Sequence, residues 1–177
     1  MPISKSKCKK PRRWIVQRTL RSRSKGRCQT FSKRHQVEPI RAITQGWVSR
    51  MCHNELIRSS SLLSEELRSH ASGFIQLMLE GANSIEAIQA KLPKGLKGYI
   101  KTEYALSSSE FMTLVRLLKP EVMLDENKLK VLHNGMEKYL HQLIKKGAVI
   151  AKREESKTLQ PRHIIPVRLS YFPEPLE

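Results

Sequence analysis

The chain has 177 residues, of which 39% are hydrophobic, and carries a formal charge of +17 with a pI near 10.2. That supports one domain, or two small ones, plus tails lying outside any core. No run of about 18 apolar residues could span a membrane. Three widely spaced cysteines, Cys8, Cys28 and Cys52, make no disulfide framework and fit a reducing compartment.

The charge is uneven. Residues 1–36 hold 13 Lys and Arg and no Asp or Glu, whereas residues 37–177 hold 20 against 16. The first segment is rich in Ser, Lys and Arg and reads as a disordered basic tail. Trp14, Ile15 and Val16 interrupt it as a short apolar anchor. Thirteen unopposed cations suit a polyanion-binding arm; the plainer alternative is a solvated solubility tail. There is no apolar segment of a secretory signal, although an Arg-rich, acid-free start also fits a mitochondrial presequence. Lys7 to Arg13, KCKKPRR, is a basic cluster of the nuclear-import kind.

From Val37 apolar periodicity begins. Ile40, Ile43, Trp47 and Met51 predict an amphipathic helix of about five turns, with Pro39 in its first turn and its end near Arg58. SSSLLS is a loop, and Ser64 with Glu65 and Glu66 reads as a helix start. Leu67, Ala71, Phe74, Met78, Gly81, Ile85 and Ile88 then alternate four and three residues apart. They predict one long helix of about 40 Å, closed by LPKGLKG. Residues 99–106 form a connector.

Ser107 and Glu110 have capping-box spacing, and Phe111, Leu114, Val115 and Leu118 share one face of a short helix that stops before Pro120. A further helix starts near Asn127 with Leu129, Leu132, Met136, Leu140, Leu143 and Val149. The prolines of SKTLQPRHIIPVRLSYFPEPLE predict an irregular C-terminal tail. The expectation is therefore an all-α chain: a basic tail over 1–36, a helical domain over 37–151, and an irregular tail over 152–177.

No pattern of catalysis, metal binding or cofactor binding emerges. There is no paired-cysteine spacing, glycine-rich phosphate loop or zinc-helix histidine pair. His133 and His141 lie two helical turns apart, too far for one metal ion unaided. Cys52, His53, Asn54 and Glu55 are neighbours in sequence, which does not make a triad. The reading is a non-enzymatic protein with no cofactor and no small-molecule substrate.

What remains is phosphate binding. Lys5, Lys7, Lys9, Lys10, Arg12, Arg13, Arg18, Arg21, Arg23, Lys25 and Arg27 on a flexible arm suit contacts that release counterions without reading bases. Lys91, Lys94, Lys97 and Lys101 add cations where helices end, a phosphate cradle or an ordinary solvated loop.

SSSEFMTLVRLLKPE, Ser107 to Glu121, resembles the third core helix of core histones of the two-B type, with Thr113, Val115, Arg116, Leu117, Leu118 and Pro120 in family-like places. More loosely, Gly73 to Ala90 resembles the family's central helix and Asn134 to Leu140 its additional C-terminal helix. The connector over 92–106 is about ten residues longer than the family's second loop. Lys157 to Ile164, KTLQPRHI, is similar instead to the partner two-A type. The resemblance implies a histone-like chromatin protein of the nucleus that packages DNA and heterodimerises with a two-A partner histone. It implies phosphate contacts through Arg116, Ser107 and Ser108. Trp47, Leu67, Phe74, Met78 and Ile85 would face the partner or the core. Two competing expectations are an RNA-binding structural protein of a ribosomal or organellar particle, and a nuclear scaffold that the arm merely localises.

Overall fold

A computed structural model describes residues 43–82 and 84–173. The basic tail, with its arm cations from Lys5 to Arg27, lies outside the described residues, as do Pro39 and Ile40.

Helix α1, Gln45–Asn54, starts at Thr44, whose hydroxyl accepts the Trp47 N–H at 3.2 Å. It ends four residues short of the expected Arg58 because Leu56 takes a left-handed backbone, φ 57°, and points into solvent. An L-residue rarely adopts that conformation and cannot continue a helix through it. The two-residue strand β1, Arg58–Ser59, follows.

Helix α2, Leu63–Leu79, carries the expected Glu65 and Glu66 in its first turn, but Ser64, read as its start, is a buried residue inside the helix; Leu62 holds the N-cap position without a side-chain bond. The single long rod does not form. Helix α2 closes at Glu80, and a separate helix α3, Ile85–Lys91, begins from Ser84. Gly81 sits at φ 67°, and the Ser84 hydroxyl caps α3 by accepting the Ala87 N–H at 3.1 Å. The four-and-three spacing runs across the break because both helices turn apolar residues inward; periodicity alone does not register a turn between them.

After a single 3₁₀ turn, Lys94–Leu96, the connector leads to α4, Ser108–Leu118. Its capping box is the one read from the sequence. The Ser107 hydroxyl accepts the Glu110 N–H at 3.3 Å, and the Glu110 carboxylate accepts the Ser107 N–H at 2.8 Å. The Ser107 side chain and backbone bonds hold the Glu110 carboxyl below its usual range.

Helix α5, Glu126–Arg153, is the longest element, with 28 residues. Asp125 caps it, accepting the Lys128 N–H at 2.8 Å. The tail expected to be irregular from residue 152 holds strand β2, Thr158–Leu159, and helix α6, Pro161–Tyr171. Pro161 suits a first turn. Pro166 lies on the exposed side of α6, where water can replace the hydrogen bond it removes. His163, Ile164, Val167 and Phe172 bury the other side. β1 and β2 pair in parallel, Arg58 opposite Thr158 and Ser59 opposite Leu159, joining segments 100 residues apart.

The core lies between α2 and α5, closed by α6. Phe74 stacks on Tyr139 at 5.3 Å and meets Phe172 edge-on at 6.0 Å. Leu67, Phe74 and Met78, expected to face a partner or the core, are enclosed by their own chain, as is Trp47; Ile85 is half-buried. Thus α5 and α6 occupy the face that a separate subunit was expected to cover. At Gly135 of α5, a Cβ would fall 2.8 Å from a Leu92 methyl, so any larger residue there would have to displace the Leu92 side chain.

One buried carboxylate fixes the connector to α5. Glu137 is fully enclosed, and its two oxygens accept the Ala105 and Leu106 N–H groups, each at 2.8 Å. His133, stacked on Phe111 at 4.5 Å, places Nε2 3.0 Å from the Leu106 carbonyl, so that nitrogen carries the proton. Glu137→Ala strands two buried amides, each costing about 1–3 kcal/mol. Hydrogen exchange at Ala105 and Leu106 should accelerate at least about tenfold on that arithmetic. Unchanged protection there would show that Glu137 does not anchor the connector.

Candidate nucleic-acid interface

Two cation groups reach the surface of the described chain. The first is the connector. Lys94 and Lys97 bracket the 3₁₀ turn, Lys101 follows, and all three are exposed. Lys138 of α5 donates to the Lys97 carbonyl, bringing a fourth cation that the sequence reading did not include. Among the described residues none of the four pairs with a carboxylate, so their charge is available to an anion. The nearby Glu103 is occupied by Arg50 at 2.6 Å, and that bond lowers the pKa of the Glu103 carboxyl.

The second group comes from the β1–β2 bridge. The Arg58 N–H donates to the Lys157 carbonyl at 3.2 Å, so two exposed cations distant in sequence become neighbours. Arg162 lies just beyond, 3.7 Å from Glu154. His163 Nε2 lies 3.1 Å from the same Glu154 carboxylate and 3.2 Å from Arg162 Nε, while His163 Nδ1 accepts the Gln160 N–H at 3.1 Å. These contacts tie the start of α6 to the end of α5. Arg58 was read as the end of a helix and Lys157 as part of a tail. The Gln160–Pro161 helix start was a usable local signal, but nothing local announces a pairing 100 residues away.

The other expected contacts divide. Arg116 is exposed in the last turn of α4, and among the described residues no hydrogen bond or ion pair ties it to the connector lysines. Ser107 is committed to its cap, donating to Glu110 at 2.6 Å, so its hydroxyl is not free for phosphate. Ser108 is exposed.

Residues that could suggest chemistry have structural roles. Burial pushes the Cys52 thiol up to about 12, which leaves it protonated and unreactive at neutral pH, while His53 and Asn54 face solvent. His141 lies edge-on to Trp47 at 5.5 Å and 3.0 Å from the Glu103 carbonyl. The surface can bind anions through unpaired cations beside helix ends.

Comparison of the chain with protein-family models, with characterised proteins and with solved structures finds no match.

Proposed function

We propose that the chain is a non-enzymatic DNA-binding chromatin protein, histone-like, in which two helical triplets pair within one polypeptide. The observation that carries this reading is the repeated order of elements. Helices α1, α2 and α3 run medium, long and short; α4, α5 and α6 again place the longest helix in the middle. The loop after α1 pairs with the loop before α6, which is a head-to-tail arrangement of the two triplets.

The resemblance of Lys157 to Ile164 to the two-A type fits such a pair, whereas that of Ser107 to Glu121 to the third two-B helix does not, because this segment opens the second triplet. In this reading α4 to α6 supply the contacts first expected from a separate two-A partner. Arm cations, connector lysines and the Arg58–Lys157 pair then meet successive phosphates. The alternative is an RNA-binding structural protein of a ribosomal or organellar particle.

Fractionation of the native chain separates the two. A chromatin protein should sediment with nuclease-sensitive chromatin at low salt and leave it at high salt. Recovery with ribosomal particles instead would favour the RNA reading and overturn this one.

A further inference from the structure

A cleft of about 290 Å3 opens between α3, the 3₁₀ turn and the middle of α5, separate from the Arg58–Lys157 pair. Leu92, Leu96 and Val131 give it an apolar floor, and Gln89 and Asn134 contribute side-chain amides. Tyr99 stands on its rim and is 79% exposed, so its ring is open to a stacking partner. The volume lies at the lower edge of the ~300–1,000 Å3 range of small-molecule sites, room for one planar ring rather than a large ligand.

The surrounding charge is of one sign. Lys97 lines the cleft, Lys138 reaches the carbonyl of Lys97, and Lys94 and Lys101 flank it in sequence, none paired with a carboxylate among the described residues. Asn134 is positioned by Tyr104, whose hydroxyl donates to Asn134 Oδ1 at 2.5 Å, which leaves its amide N–H groups for a ligand. An exposed aromatic ring, a ring-sized apolar floor, one fixed amide and unpaired lysines form the combination that holds a base and its phosphates.

We infer that this cleft receives one unpaired base of a single-stranded nucleic acid, stacked on Tyr99, with adjoining phosphates on Lys97, Lys101 and Lys138. A duplex cannot serve, because its bases are already stacked on each other. The inference deepens the proposed function and rests on its nucleic-acid reading, adding a preference that arm electrostatics alone would not give.

The test uses the full chain at fixed salt with three fluorescent probes: oligo(dT), oligo(U) and a mixed-sequence duplex of equal length. Tyr99→Ala should weaken binding of the single strands roughly five- to a hundredfold, since one base–aromatic stack is lost. Duplex binding should stay within about twofold of wild type, because phosphate contacts dominate it. Tyr99→Phe should bind both strands like wild type, because stacking needs the ring and not the hydroxyl. A larger loss for oligo(U) than for oligo(dT) would assign the strand as RNA, and the reverse as DNA. Equal single-strand binding by wild type and Tyr99→Ala overturns the cleft, as does an equal loss on duplex and single strand, or a Tyr99→Phe variant as weak as Tyr99→Ala. Failure of the wild-type chain to bind duplex, with single-strand binding intact, would instead count against the chromatin reading alone.

Discussion

Phe74→Ala is expected to destabilise the chain by about 3–5 kcal/mol, the range for emptying a fully buried aromatic position. The ring is inaccessible, stacks on Tyr139 at 5.3 Å and meets Phe172. Against a typical domain stability of ~5–15 kcal/mol this is a large fraction. With a urea slope of ~2 kcal/mol per molar, the unfolding midpoint should fall by roughly 2 M. The same substitution distinguishes internal packing from external pairing. If Phe74→Ala left the midpoint unchanged and abolished association with another protein, the face would belong to a separate subunit.

Removing residues 1–36 is expected to have the largest effect on duplex binding. If about eight arm cations engage phosphates, log affinity falls with log salt at a slope near −7. Between 50 and 200 mM salt the intact chain then loses about 10⁴ in affinity by that slope. The shortened chain keeps 20 Lys and Arg against 16 Asp and Glu. With those eight contacts gone its slope should relax to between zero and about −1, and its loss over the same interval to less than about tenfold. Equal slopes with and without the arm would remove the arm from the mechanism and leave binding to the helical body.

Features governed by neighbouring residues were the ones readable in the sequence. The Ser107–Glu110 capping box and the stop before Pro120 gave α4 its bounds, because caps act over three or four residues. The apolar stripes of α2 and α5 gave buried faces. The break after Leu79 was hidden because Ile85 and Ile88 continue the phase of α2; Gly81 followed by Ser84 was the overlooked turn-and-cap signal. Prolines drew attention away from His163, Ile164 and Val167, whose spacing marks the buried side of α6. The covering of Leu67 and Phe74 by α5, and the meeting of Arg58 with Lys157, depend on tertiary placement that no local window contains. The premise of a continuous rod awaiting a second subunit therefore does not hold, and the chromatin reading now depends on pairing within the chain.

The segment from Leu92 to Ser107, fixed by Glu137, has a consequence for how the folded unit is made. Free subunits meet at a rate that rises with their abundance. Surfaces joined by a short tether meet at an effective concentration on the order of millimolar, whatever the amount of protein. Under the proposed pairing of two triplets, such a polypeptide would set its own one-to-one stoichiometry and need no matched expression of a mate.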